Sequence, residues 1–120
     1  EVANLLNNLG ELYRSENRLA DAEPQFEKAL EIYQKAEGNN GANVANTSNN
    51  LALVYHMQKK NAEAEALYKR AVSIYETKQG SNVALENVLE NYKELLLSTG
   101  RSAEANAIAQ RINNRIAQNK

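Results

Sequence analysis

The chain has 120 residues, a formal net charge of −1 and no cysteine, and these values exclude several classes of protein. The length suffices for one domain with a hydrophobic core, but no apolar run approaches the roughly 18 residues of a membrane span. Lysine and arginine are scattered and matched by carboxylates, so we expect neither nucleic acid nor a membrane as a partner.

The hydrophobic periodicity is helical along the whole chain, because apolar residues recur every three to four positions. Asn17 tolerates the left-handed backbone of a first turn, Gly38 and Gly41 close the second helix, and Gly100 lies in the last turn. The pattern predicts six helices, from about Val2 to Ser15, Leu19 to Glu37, Ala42 to Met57, Asn61 to Gln79, Asn82 to Ser98 and Ser102 to Gln118.

Most of the first third of the chain occurs again 42 residues later, and a third, shifted copy follows at an offset of 41. These offsets align Val2 with Val44, Tyr13 with Tyr55, Asn50 with Asn91 and Ala64 with Ala105. Such self-similarity predicts one domain of three helix-turn-helix units, at about residues 2–41, 42–81 and 82–120. The polar outer face of the last helix is what a capping helix needs. Since the chain opens on Glu1 and already inside a repeat, we expect it to be part of a longer protein.

The residues at the helix crossings resemble the tetratricopeptide repeat family. That pattern is an apolar residue, Leu, a small residue and Tyr in the first helix, then Ala, an aromatic residue and Ala in the second. The first repeat supplies Leu6, Leu9, Gly10, Tyr13, Ala22, Phe26 and Ala29. The second supplies Leu51, Ala52, Tyr55, Ala64, Tyr68 and Ala71, with Ser48 as a departure, and the third keeps Leu89, Gly100 and Ala105.

The spacing of 42 residues is similar to the kinesin-light-chain-type subgroup, which is also common in bacteria. The resemblance implies an all-α, right-handed α-solenoid of three antiparallel helix pairs. It also implies that the first helix of each pair lines a concave groove, and that the protein is an interaction scaffold.

Asparagine is unusually frequent, with eighteen residues, although it is a mediocre helix former. Asn8, Asn50 and Asn91 are equivalent and predict a ladder across the three repeats. Amides suit the alternating N–H and C=O groups of an extended peptide, but such side chains also bond a neighbouring helix or water. The resemblance places the following residues in the groove: Asn4, Asn7, Asn8, Glu11, Asn46, Asn49, Asn50, Leu53, His56, Asn87, Glu90, Asn91 and Leu97.

No constellation of residues indicates catalysis, a metal site or a cofactor. His56 is the single histidine, and we interpret it as a polar groove residue. The carboxylate clamp with which some family members hold chaperone C-terminal tails falls on Asn7, Glu11, Asn50, Asn87 and Asn91. Only Asn50 matches the clamp, and Glu11 would repel a carboxylate, so we expect no binding of chaperone tails.

The leading hypothesis is therefore a scaffold, not an enzyme, that binds an extended peptide or partner segment in the groove. The alternative is a structural module that stacks end to end or forms a homo-oligomer. Self-association would use the first helix, where we expect Leu5, Leu6 and Leu12 to form a sticky surface.

Overall fold

The computed structural model describes residues 2–77 and 83–118, and all secondary structure in these ranges is helical. No helix within these ranges is long and apolar enough to cross a membrane. The six helices, in chain order, are Val2–Ser15 (α1), Leu19–Glu37 (α2), Ala42–Met57 (α3), Asn61–Glu76 (α4), Val83–Ser98 (α5) and Ser102–Gln118 (α6).

The predicted bounds agree with the structure for α1, α2, α3 and α6, and the predicted end of α4 is wrong. This helix ends at Glu76, and the hydroxyl of its C-cap residue Thr77 donates to the carbonyl of Ile74 at 2.7 Å. Threonine commonly forms such local bonds and so competes with helix continuation. Gln79 and the predicted start of α5 at Asn82 lie outside the described residues.

The turn inside each repeat uses one left-handed residue at the same position. Asn17, Lys59 and Gly100 have φ angles of 61°, 66° and 78°, which confirms the prediction for Asn17. In each turn the next residue donates its N–H to a carbonyl five positions earlier, as Arg18 does to Tyr13 at 2.8 Å. This Schellman arrangement satisfies carbonyls at the end of the first helix and turns the chain back. Each pair is therefore a tight antiparallel hairpin.

Small residues allow the two helices of a pair to cross closely. Gly10 is buried, and a Cβ atom built there would lie 2.8 Å from the Phe26 ring. Ala52 takes the equivalent place in α3 and is fully buried. The prediction that Gly10 and Ala52 lie where the two helices of a pair cross closely is thus confirmed.

The three pairs form a solenoid with two layers of helices. Each second helix packs against its own first helix, and α2 and α4 also pack against the first helix of the next repeat. Neighbouring first helices also contact each other, α1 with α3 and α3 with α5. In the described residues, the backbones of α2, α4 and α6 stay apart, and long side chains such as Arg111, which pairs with Glu76, bridge them. The first helices therefore form the inner, concave layer.

Candidate functional site

The concave layer carries three rows of polar residues, and each row takes one residue from each first helix. The rows follow the offsets of 42 and 41 residues that relate the repeats. They are Asn4, Asn46 and Asn87; Asn7, Asn49 and Glu90; and Asn8, Asn50 and Asn91.

Amide hydrogen bonds join neighbouring first helices along the concave layer. The Asn50 Nδ2 donates to Oδ1 of Asn7 at 3.4 Å and to the Glu11 carboxylate at 3.2 Å. One repeat further, the Asn91 Nδ2 donates to Oδ1 of Asn49 at 3.1 Å. The same two repeat positions therefore meet where α1 packs against α3 and where α3 packs against α5. These bonds compensate for placing polar groups between helices, where an unpaired amide is costly.

The three equivalent amides of the predicted ladder differ in their hydrogen bonds. Asn50 and Asn91 use their amide nitrogens to hold the preceding first helix. Asn8 belongs to the first repeat, is exposed, and makes no side-chain hydrogen bond with another described residue. Asn50 and Asn91 therefore bond the neighbouring helix, which is the alternative that the sequence left open.

The row of Asn4, Asn46 and Asn87 is exposed in all three repeats. The Asn46 and Asn87 amides form no side-chain hydrogen bond with any described residue. Asn4 differs, because its Oδ1 accepts a hydrogen bond from the Tyr33 hydroxyl of α2. Nothing in the repeat pattern of the sequence indicates this contact.

The C-terminal ends of α3 and α5 carry the remaining predicted groove residues. His56 Nε2 lies 3.0 Å from the Ser98 Oγ, and that hydroxyl donates to the carbonyl of Leu95 at 2.8 Å. The tautomer of His56 decides which of the two side chains donates in this contact.

A surface cavity of about 330 Å³ lies beside this pair. Its lining residues are His56, Met57, Lys59, Asn61 and Ser98. Met57 and Leu97 are 42% and 47% exposed, and Leu53 is half-buried. This end of the concave layer therefore combines exposed apolar side chains with hydrogen-bonding groups.

The acidic members of the predicted groove are occupied by neighbours. Glu11 accepts from Asn50 at 3.2 Å, and Glu90 pairs with Lys93 at 3.0 Å. Among the residues that the structure describes, no group of three or more His, Cys, Asp and Glu side chains could hold a metal ion. The arrangement is suited to hydrogen bonding and apolar contact.

Comparison with known proteins agrees with this architecture. A family model described as tetratricopeptide repeat matches residues 1–77. The crystal structure of BtubC (BKLC) from P. vanneervenii superposes with a TM-score of 0.90 at 27% sequence identity. The match covers 98% of this chain and 48% of that chain, so this chain spans about half the length of BtubC. A search of curated proteins gave no match.

Proposed function

Because the chain belongs to the tetratricopeptide repeat family, we propose that it binds an extended segment of a partner protein along the concave face of α1, α3 and α5. Folds of this family generally mediate protein–protein interaction or assembly. The observation that carries the proposal is the row of exposed amides at Asn4, Asn46 and Asn87, one from each repeat. The amides of Asn50 and Asn91, by contrast, already bond a neighbouring first helix.

The spacing of this row suits an extended peptide. Packed helices lie about 8–10 Å apart, and an extended chain advances about 3.3 Å per residue. Neighbouring amides of the row would therefore meet every third peptide residue, and three repeats would span about seven residues. Because an amide offers donors and acceptors together, it can pair with the N–H or the C=O group of the peptide.

Hydrogen bonds alone give too little affinity. Three amide contacts of about 1 kcal/mol each fall short of the roughly 8 kcal/mol of a micromolar complex. Burial of the exposed parts of Met57 and Leu97 by an apolar peptide side chain adds to this, at about 25 cal/mol per Å² of apolar surface. We therefore propose that the amides hold the peptide backbone while the surface around Leu53, His56 and Leu97 selects its side chains.

The experiment uses a peptide selected from a random library for binding to the intact chain. Its affinity is measured by calorimetry for Asn46→Ala and Asn87→Ala, with Asn114→Ala on the exposed surface of α6 as the matched control. Each groove variant should weaken binding by about fivefold, equivalent to about 1 kcal/mol, and the control should bind like the parent chain. Unchanged affinity in both groove variants, with helical content intact, would contradict the proposal.

A second peptide of different sequence separates backbone contacts from side-chain selection. Asn46→Ala and Asn87→Ala should weaken both peptides to a similar extent, since the amides contact the backbone. Leu97→Ala should change the two affinities unequally. Equal losses for Leu97→Ala would contradict the role of this surface in selecting side chains.

Self-association through the first helix is the second candidate function. Its support is the exposure of Leu5 and Leu12, which are 68% and 53% accessible, whereas Leu6 is partly buried against the core. Light scattering over a range of protein concentrations tests it directly. A molecular mass that stays that of a monomer at all concentrations would contradict self-association but would not bear on the proposal of peptide binding.

A further inference from the structure

One side of α1 carries large apolar side chains that the described chain leaves uncovered. Val2, Leu5 and Leu12 are 64%, 68% and 53% exposed. Their equivalents in the later repeats are at most 1% exposed, namely Val44, Thr47 and Val54 in α3 and Leu85, Val88 and Leu95 in α5. At those positions α2 packs against α3, and α4 packs against α5. This side of α1 therefore has the character of a buried interface.

A charged residue beside this side of α1 also lacks a contact that its equivalents in the later repeats make. The cation that ends each intra-repeat turn reaches back to a glutamate on the preceding second helix: Lys60 binds Glu23 at 2.9 Å, and Arg101 binds Glu65 at 2.8 Å. Arg18 is their equivalent in the first repeat. Among the described residues it pairs only within its own repeat, with Asp21 at 3.0 Å and Glu16 at 3.6 Å.

Arg101 makes both a local contact and a contact with the preceding repeat, whereas Arg18 makes only the local one. The Arg101 guanidinium binds Glu104, the equivalent of Asp21, and at the same time binds Glu65 of the preceding repeat. A guanidinium has five donors and can hold two carboxylates in this way. Arg18 thus has the local partner but not the one from a preceding second helix.

Asn8 provides a third, independent observation, because its amide lacks a contact that its equivalents make with a preceding first helix. Its equivalents Asn50 and Asn91 each donate an amide hydrogen to the preceding first helix, at Asn7 and Asn49. The Asn8 amide is exposed and has no such acceptor among the described residues.

We propose that this side of α1, formed by Val2, Leu5, Asn8, Leu12 and Arg18 and called the α1 face below, binds a further helix pair of the same repeat type. The second helix of that pair covers the apolar residues and presents a glutamate to Arg18, at the position that Glu23 and Glu65 occupy in α2 and α4. Its first helix presents a side-chain oxygen to Asn8, at the position of Asn7 and Asn49.

A second copy of this chain does not supply the required second helix. Its last helix, α6, has Asn106 at the position of Glu23 and Glu65, so no carboxylate would meet Arg18. It also has the exposed Asn113 at the position of the buried Leu30 and Val72. Head-to-tail stacking of copies would therefore leave the apolar residues of the α1 face against amides, which favours a different helix pair.

The test supplies such a pair within one chain. One copy of residues 2–42 is placed directly before Glu1, so that the added α2 precedes α1 at the spacing with which α2 precedes α3. The unfolding equilibrium constant of the extended chain should fall by at least about tenfold, because three large apolar side chains become buried. The backbone amides of α1 should also exchange more slowly with solvent. An unchanged equilibrium constant and unchanged exchange in α1 would overturn the proposal.

Two sets of variants show whether the gain comes from the α1 face. Leu5→Asp with Leu12→Asp should leave the original chain as stable as before, since both side chains are exposed there, and should abolish the gain in the extended chain. Arg18→Glu, or Glu23→Arg in the added copy, should each reduce the gain, and the two together should restore it. Retention of the full gain with the two aspartates, or no restoration by the charge swap, would overturn the proposal.

Sedimentation of the original chain distinguishes between a further helix pair and a second copy of the chain as the partner of the α1 face. We expect a monomer at concentrations where the extended chain shows the gain. A dimer that dissociates in the Leu5→Asp and Leu12→Asp variant would show that a second copy covers the α1 face, and would overturn the assignment to a different helix pair.

Discussion

Gly10 sets the distance between α1 and α2, because the Phe26 ring occupies the space that a side chain would need. Gly10→Leu should therefore force the ring out of its place and destabilise the protein by about 1–3 kcal/mol or more. Urea unfolding measures this loss, and Ala62→Leu on the exposed surface of α4 is the matched control. Equal midpoints for the two variants would show that the helices do not cross at Gly10.

Tyr68 and Tyr92 are stacked in the core, with ring centroids 6.0 Å apart, but only one hydroxyl is satisfied. The Tyr92 hydroxyl donates to Glu65 at 2.7 Å, whereas the Tyr68 hydroxyl is buried and has no partner in the described residues. Burial raises the pKa of Tyr68, which agrees with a hydroxyl held away from water.

The two tyrosines should therefore respond oppositely to loss of the hydroxyl. Tyr68→Phe removes an unpaired polar group and should keep or raise the stability, by up to about 1 kcal/mol, while Tyr92→Phe should lower it by about 1 kcal/mol. Thermal melts of the two variants are directly comparable because both keep the ring. A larger loss for Tyr68→Phe than for Tyr92→Phe would contradict the assignment of partners.

At the scale of the elements, Glu65 joins α4 to the third repeat. Its carboxylate accepts hydrogen bonds from Arg101 and Tyr92, at 2.8 Å and 2.7 Å. The Arg101 guanidinium is the main cause that lowers the pKa of Glu65 from 4.5 to about 2, and Tyr92 adds to it. Glu65 therefore stabilises the fold above pH 4.5, and this contribution is lost as the pH falls through about 2.

The stability of the parent chain should thus depend on acid pH more steeply than that of Glu65→Gln. The advantage of the parent chain, on the order of 1–2 kcal/mol after allowance for solvent screening, should shrink between about pH 4.5 and pH 2. Unfolding at several pH values measures it, and Glu31→Gln on the exposed face of α2 serves as the control. A constant difference between the parent chain and Glu65→Gln across this range would contradict the assignment.

The elements were predictable from sequence because local rules fix them. Helical periodicity gave six helices, and Asn17 and Gly100 marked two turns whose left-handed residues are now observed. Lys59 was not predicted to be left-handed, since lysine has no local preference for that conformation and adopts it only because the repeat requires a turn there. The end of α4 was missed because no glycine or proline stands at Glu76, and the prediction used Gly80 as the stop signal.

At the scale of the whole molecule, the order of the repeats followed from the offsets of 42 and 41 residues, and the inner position of the first helices was implied by the resemblance to the tetratricopeptide repeat family. The hydrogen-bond partners of the groove asparagines did not follow from these offsets. Whether Asn50 faces a ligand or the preceding helix depends on how far neighbouring helices are shifted along their axes, and no local pattern contains that shift. The contact between Asn4 and Tyr33 likewise depends on tertiary packing.

Mapping the binding surface of a selected peptide tests the central claim most directly. Amide chemical shifts of the isotope-labelled chain are followed during titration with the peptide. If the concave face binds it, the shifts will concentrate on α1, α3 and α5, with the side-chain amides of Asn46 and Asn87 among the most affected, while Glu31 and Lys69 on the second helices stay unchanged. Shifts concentrated on α2 and α4, with Asn46 and Asn87 unaffected, would contradict the account.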